Sequence, residues 1–286
     1  MGARTKLRIK GARREAAMTL MATQSICRPA PAKVNLSLSV LGRRPDGFHD
    51  IESWIAPIDW CDRITATPGN GPAITVDGDT DGIPLDDTNL AMRAAEALAR
   101  VAGHANDAAI RLEKSIPPGA GLGGGSSDAA TVLLALNSLW SLNLSTKALT
   151  PIAAEIGSDV PFFLEPGSAI IRGRGERIER LDHSPRGWLV LIVPPFGIST
   201  GAVYRVWSMT GEAESNMCRA VSHHDAPWLD PSVDAASLMP RLFNDLESAA
   251  FTHEGTTFRQ IRQPIFRRIL RTGYTISAAN CVDWPA

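Results

Sequence analysis

An α+β fold is predicted by three features of the sequence. Strand-like and helix-like stretches follow one another without the regular alternation of a doubly wound sheet, residues 33–40 alternate between polar and apolar, and a glycine-rich turn at residues 117–125 runs into an apolar helix. In the first strand Val34, Leu36, Leu38 and Val40 share one face and Lys33, Asn35 and Ser37 the other, so the strand presents Lys33 beside Asn35. Residues 42–47 break it. Residues 51–58 and 63–67 read as further short strands around Pro57, and the Gly, Pro and Asp cluster at 68–87 reads as loop with one strand at 74–76.

Leu90, Ala94, Ala97, Leu98 and Val101 then recur at helical spacing, with Thr88 or Asn89 as cap and Gly103 as stop. Residues 110–113 alternate as a strand. Residues 127–139 are helical and apolar nearly all round, the pattern of a buried helix. Ser145 or Thr146 caps the next helix, which turns Leu149, Ile152, Ala153 and Ile156 inward and stops at Gly157. Strands at 169–172 and 177–181 flank Gly173 and Gly175 as a hairpin. Residues 188–193 form a continuous apolar run and hence a central strand, a helix follows at 242–251, and another starts at 258 and meets Pro264. Trp54, Trp60, Trp188 and Trp207 are assigned to the core and residues 172–177 to a solvated hairpin. No internal repeat is present.

A chain of 286 residues can hold one large core or two modest ones. Its 44% hydrophobic and 21% charged residues are those of an ordinary globular protein, and a net charge of −1 offers no global field for nucleic acid or an anionic membrane. Small-molecule chemistry is the expected class, with no nucleic-acid and no membrane partner. Cys27, Cys61, Cys218 and Cys281 have neither metal-ligand nor redox spacing and read as reduced thiols in the cytoplasm. No apolar run reaches the ~18 residues of a membrane span. Residues 1–28 form a disordered basic extension carrying Arg4, Lys6, Arg8, Lys10, Arg13 and Arg14 against Glu15 alone. Two readings fit it: a plastid-type transit peptide, or upstream sequence before a start at Met18 or Met21.

The turn Pro117, Pro118, Gly119, Ala120, Gly121, Leu122, Gly123, Gly124, Gly125, followed by Ser126 and Ser127, would aim backbone N–H groups and a helix dipole at an anion. Glycine lets a phosphate approach the backbone. Ser126 and Ser127 can cap the helix, or reach phosphate or a phosphate-bound Mg2+. The turn lacks the Gly-Lys-Ser/Thr ending of a Walker A loop. It satisfies G-x-G-x-x-G, but the preceding strand is amphipathic and no acid follows about 20 residues on, as a dinucleotide site requires.

The whole string KSIPPGAGLGGGSSDAATVLLALN resembles the second motif of the GHMP kinase superfamily. Within that superfamily PAKVNLSLSVLGRRPDGFHDIES (residues 31–53) is similar to the opening of the 4-diphosphocytidyl-2-C-methyl-D-erythritol kinases, and GSDVPFFL (157–164) to their catalytic-aspartate segment. The resemblance runs in order from about residue 31 to residue 251. It implies a two-lobed fold, with an ATP-binding domain of ribosomal-protein-S5 type at 29–183 and an incomplete α/β sandwich of ferredoxin-like type at 184–286. It implies ATP and Mg2+ as cofactors and a cytidine diphosphate-linked methylerythritol as the small-molecule acceptor. Asp159 would take the proton of the acceptor hydroxyl, Lys33 would stabilise developing charge, and Asn35 would bind substrate or hold Lys33. Asn89 matches a position near the adenine pocket. Phe48 and His49 match a Tyr-His pair that faces cytosine, Tyr204 would supply the opposite ring and Thr200 a polar contact. Homoserine or mevalonate kinases share the turn without the cytidine-facing segment. After about residue 262 the chain departs from the family: the third, Gly-Ser-Gly type motif is absent and Gly273 is the only glycine. A frameshift or premature end, or a rewritten C-terminus, accounts for this, and a nucleotide-binding remnant without catalysis is the competing reading. Monomer and homodimer are both compatible with the sequence.

Overall fold

The computed structural model describes residues 25–78, 82–182, 189, 191, 199–209 and 242–253. Residues 1–24, most of the apolar run at 188–193 with Trp188, the helix expected from residue 258 and the departure after 262 lie outside the described residues, whereas the last residues assigned to a disordered extension, Ile26 to Arg28, are strand paired with Ile64 to Ala66. The described elements are β1 (Ile26–Arg43), β2 (His49–Pro68), β3 (Ala73–Gly78), α1 (Leu90–Ala102), β4 (Ala108–Lys114), α2 (Gly124–Leu139), α3 (Thr146–Ile156), a 3-10 turn (Val160–Leu164), β5 (Ala169–Gly173), β6 (Arg177–Arg180), α4 (Thr200–Met209), β7 (Phe243–Asn244) and α5 (Glu247–His253). Strands and helices are mixed as the α+β expectation has it.

The seven strands form one sheet. β1 and β2 pair antiparallel along their whole length, from Ile26 opposite Ala66 to Arg43 opposite His49. β2 then divides its other edge: Arg63 to Pro68 pair with β4 and Ile51 to Ile55 with β5. β3 extends the sheet in parallel beyond β4, β6 closes a hairpin on β5, and β7 pairs in parallel with Ser37 and Leu38 of β1.

Two sequence readings are corrected here. The two strands expected around Pro57 are one, β2. Pro57 lies opposite Lys33, just before an irregularity in which Ala32 faces Ile58 and Pro31 faces Cys61, and a proline that donates no ladder bond is accommodated at such a break. In β1 the strict alternation fails at Leu36. Asn35 faces Ile55 and Ser37 faces Trp54, so Leu36 is an unpaired bulge residue and the side-chain alternation reverses after it. Val34 and Leu36 join a small cluster with Trp54, Ile116 and Leu122, whereas Leu38 and Val40 join the main core. A side chain expected opposite Lys33 therefore lies on its side.

The main core is built on small residues. Ala91, Ala94, Ala95 and Leu98 of α1 are buried, and α2 is buried on almost every side from Ser127 to Leu136, which lets α1 and α2 pack closely. Asn89 caps α1 and Gly103 ends it at φ 60°, while Ser145 caps α3. α2 begins three residues earlier than its apolar pattern indicates, inside the glycines. Val203 and Trp207 of α4 and Leu246, Ala249 and Ala250 complete this core, and Trp54 is buried in the smaller one. Trp60 is only partly buried. Cys27 and Cys61 are free thiols. No helix among the described residues is long and apolar enough to cross a membrane.

Candidate functional site

The centre of the site lies on β1 immediately before the bulge at Leu36. Lys33 is 2% exposed, so it is not the solvated strand lysine that an isolated alternating pattern would suggest. Its Nζ donates to Asn35 Oδ1 at 2.7 Å and stands 3.6 Å from Asp159 Oδ2. Asn35 is oriented in turn: its Nδ2 donates to Ser53 Oγ (2.9 Å), which donates to the Ser37 carbonyl (2.6 Å). A buried ammonium needs such partners, because desolvation without them costs several kcal/mol, of the order of 3 to 5. Asp159 precedes the 3-10 turn, where Pro161 favours the bend, and its carboxylate caps nothing. It is the more accessible partner, 21% exposed, at a cleft also lined by Asn35, Tyr204, Ile51, Ile55 and Ile171.

The glycine turn is fastened directly to this pair. The Lys33 backbone N–H donates to the Leu122 carbonyl at 2.9 Å. Gly119, Gly121 and Gly123 all have positive φ, and at Gly123 an added Cβ would stand 3.0 Å from both Lys33 Cγ and Phe163 Cζ. Gly123→Ala is therefore expected to destabilise the fold by roughly 2 to 4 kcal/mol, from left-handed backbone strain plus overpacking, and to displace Lys33. Chemical denaturation measures the first and turnover the second; a variant as stable and as active as the parent contradicts the packing described. α2 opens at Gly124 with Gly123 as its N-cap and no side-chain cap, so the backbone N–H groups of its first turn are left without an intrahelical or capping partner. Ser126 and Ser127 thus sit inside that turn instead of capping it. Ser127 Oγ is buried without a hydrogen-bond partner. Pro117 and Pro118 lead in, while Ala120 and Leu122 pack on the smaller core.

Three charged residues that sequence reasoning passed over lie behind the turn. Lys114 Nζ donates to Asp62 and, at 2.8 Å, to Asp128 Oδ2, and all three side chains are at most 4% exposed. Asp62 Oδ1 also accepts the N–H groups of Ser115 (2.6 Å) and Ile116 (2.8 Å), which pins the entry to the turn. The signals were a lysine closing an otherwise alternating strand and a lone acid in an apolar helix.

Burial pushes the Asp128 carboxyl up to about 7, with the Asp62 charge adding to it and Lys114 opposing. The Lys114 ammonium is lowered by burial but raised by more through its two carboxylates. A carboxyl raised on folding stabilises fully below its unfolded value, and that contribution is lost as pH rises through about 7. Asp128→Asn, which does not titrate, should gain stability relative to the parent between pH 5 and pH 8, as read by denaturation midpoints; a pH-independent difference contradicts this.

Asn89 spends both ends of its amide locally. Oδ1 accepts the Ala91 N–H at 2.9 Å and Nδ2 donates to the Pro84 carbonyl at 2.7 Å. It shapes the wall beside the turn, where Leu90 Cδ1 would lie 3.6 Å from a Cβ on Gly125. At the far end, the His49 ring stacks on Tyr204 at 4.8 Å, meets Trp207 edge-on and contacts Ser208 Oγ at 3.0 Å. Burial, helped by Arg43, holds the His49 pKa below its ordinary value and keeps the ring neutral near pH 7, with one donor and one acceptor nitrogen. Phe48 is 51% exposed, and the Arg174 guanidinium lies 3.7 Å above its ring. Thr200 opens α4 one turn before Tyr204. The structure thus brings Lys33, Asn35, Asp159 and Tyr204 to one cleft, with the glycine turn at Lys33 and His49 at Tyr204.

The profile of the GHMP kinases N terminal domain matches residues 89–167, which hold the turn and Asp159. A 4-diphosphocytidyl-2-C-methyl-D-erythritol kinase from Pelotomaculum thermopropionicum is 45% identical over 202 residues, 69% of this chain and 70% of the relative. The enzyme of that name from Streptomyces avermitilis is 41% identical over 239 residues, 78% of this chain and 80% of its own. The crystal structure of a 4-(cytidine 5'-diphospho)-2C-methyl-D-erythritol kinase matches with a TM-score of 0.63 at 31% identity, over 90% of this chain and 87% of that one. A mevalonate diphosphate decarboxylase from Legionella pneumophila shares the fold, with a TM-score of 0.56 at 11% identity.

Proposed function

This chain belongs to the 4-diphosphocytidyl-2-C-methyl-D-erythritol kinases of the GHMP superfamily, and on that premise we propose that it transfers the γ-phosphoryl group of ATP to the 2-hydroxyl of 4-diphosphocytidyl-2-C-methyl-D-erythritol, in the isoprenoid precursor route that does not pass through mevalonate. The observation that carries the reading is the buried Lys33 beside Asp159, tethered by its own backbone to the glycine turn. Phosphoryl transfer asks a protein chiefly to align two oxygens and neutralise charge. Asp159 takes the proton of the acceptor hydroxyl as its oxygen bonds to the γ-phosphorus and the bond to ADP breaks. Lys33, fixed by Asn35, offsets the negative charge that develops on the transferring oxygens. Residues 119–126 cradle the phosphates with the uncapped N–H groups at the start of α2.

The unpartnered Ser127 hydroxyl in that first turn, with Ser126 beside it, fits a Mg2+ held mainly by ATP oxygens, and no group of three or more metal-ligating side chains among the described residues offers an alternative cage. Bound there, the ion would neutralise phosphate charge. At the acceptor end, Phe48, neutral His49 and Tyr204 offer the flat surfaces and edge hydrogen bonds that a cytosine requires, with Thr200 as a further polar contact. Coupled ADP release tests the reading with a panel of acceptors. Turnover with the diphosphocytidyl alcohol and none with homoserine or mevalonate is expected; preference for either of the latter replaces it with another GHMP activity, and ATP binding without transfer to any acceptor replaces it with a non-catalytic binder.

A further inference from the structure

The proposed acceptor is a nucleoside and a polyol joined by a diphosphate, and the aromatic residues and the Lys33–Asp159 pair account for its two ends only. Something must face the doubly charged link between them. We propose that Arg174, at the tip of the β5–β6 hairpin, is a further substrate-binding residue whose guanidinium pairs with that diphosphate; the inference rests on the acceptor proposed above.

The hairpin puts Arg174 between the two ends. Gly175 has φ 114°, and a Cβ there would stand 3.5 Å from the Ser158 carbonyl oxygen and 3.9 Å from Asp159 Oδ1, so the tip abuts the segment that carries the base. One residue earlier, the Arg174 guanidinium covers Phe48 at 3.7 Å. Two adjacent residues of the tip therefore touch the two ends, Gly175 the reacting one and Arg174 the aromatic one. Its charge is also uncommitted. The neighbouring acid, Glu176, accepts the backbone N–H of Arg174 at 2.5 Å and is held beneath the tip at Gly173, where an added Cβ would stand 2.3 Å from its Oε1. Asp46, the other acid close enough to feel Arg174, is paired with Arg44 at 3.1 Å. Arg172 is engaged by Glu52 at 2.7 Å and Glu179 at 2.6 Å. Among the described residues the Arg174 guanidinium has no ion-pair or hydrogen-bond partner. A guanidinium stacked on an aromatic face keeps its in-plane N–H groups available, in the fork that matches phosphate oxygens.

Calorimetry with the nucleotide site filled by a non-hydrolysable ATP analogue tests this, using cytidine and cytidine 5'-diphosphate as probes. The parent should prefer the diphosphate, and Arg174→Gln should reduce that preference by about tenfold while leaving cytidine affinity in place, as expected for losing one charge-assisted pair. Arg174→Lys, which keeps the charge but not the fork, should fall between. An unchanged ratio in Arg174→Gln, or no preference in the parent, overturns the role of Arg174 and leaves the kinase reading standing. Failure of the parent to bind either probe overturns the acceptor assignment and this inference with it.

Discussion

Asp159→Asn is expected to lower turnover by roughly 10² or more, with ATP affinity nearly unchanged, because an amide of the same shape cannot accept the hydroxyl proton. The structure isolates the effect well. Asp159 makes no capping hydrogen bond to the 3-10 turn it precedes, so the substitution removes no contact that turn depends on. It lies 3.6 Å from the Lys33 ammonium and outside the glycine turn, so the phosphate cradle stays as it is. Steady-state turnover beside nucleotide titration separates the two quantities. Turnover equal to the parent's would remove Asp159 from the role of base and return Lys33 and Asp159 to a structural ion pair.

Lys114→Met should be the most destabilising single substitution near the site. Removing the ammonium leaves Asp62 and Asp128, at most 4% exposed, facing each other without a cation. Breaking a buried ion cluster from one side typically costs about 3 to 5 kcal/mol. Met has nearly the length of Lys, so the loss reports charge more than volume. Because Asp62 also holds the amides of Ser115 and Ile116, the entry to the glycine turn should loosen together with the fold. Urea denaturation measures the first effect and nucleotide affinity the second. Combining Lys114→Met with Asp128→Asn should recover part of the loss above pH 7, where the Asp128 carboxyl gives up its proton and the amide removes a buried charge facing Asp62. No recovery would mean that the ammonium acts through packing alone.

Local signals carried much of the fold. The caps were legible to within one residue, as Thr88 or Asn89 and Ser145 or Thr146, because a short polar side chain preceding an apolar helical repeat has a specific use there, and Asn89 and Ser145 are the ones that form. The buried character of α2 followed from apolar residues on every side. What the sequence concealed depends on non-local pairing. The extra residue at Leu36 cannot be recognised without β2 opposite it, yet it decides that Leu38 lies on the side of Lys33. The joining of two apparent strands through Pro57 likewise depends on an irregularity in β1. Ser126 and Ser127 looked like caps because the helix was started at the apolar residues; the glycines can adopt helical backbone once α1 and β1 pack against them, and the cap moves to Gly123. Lys33 and Asp159 came from motif resemblance, whereas their burial and separation required the tertiary fold. Asp62 carried no local signal at all, being an acid in a strand whose partner is 52 residues away. The hairpin at 172–177, expected to be solvated throughout, holds a neutralised Arg172 and an uncommitted Arg174.

The measurement that bears most directly on the whole account is phosphorus NMR of a reaction holding this protein, ATP, Mg2+ and 4-diphosphocytidyl-2-C-methyl-D-erythritol. The account predicts a new phosphomonoester on the 2-hydroxyl, growing in step with ADP and appearing roughly 10²-fold or more slowly with Asp159→Asn. ADP without that resonance, or no change in a folded sample, would contradict it.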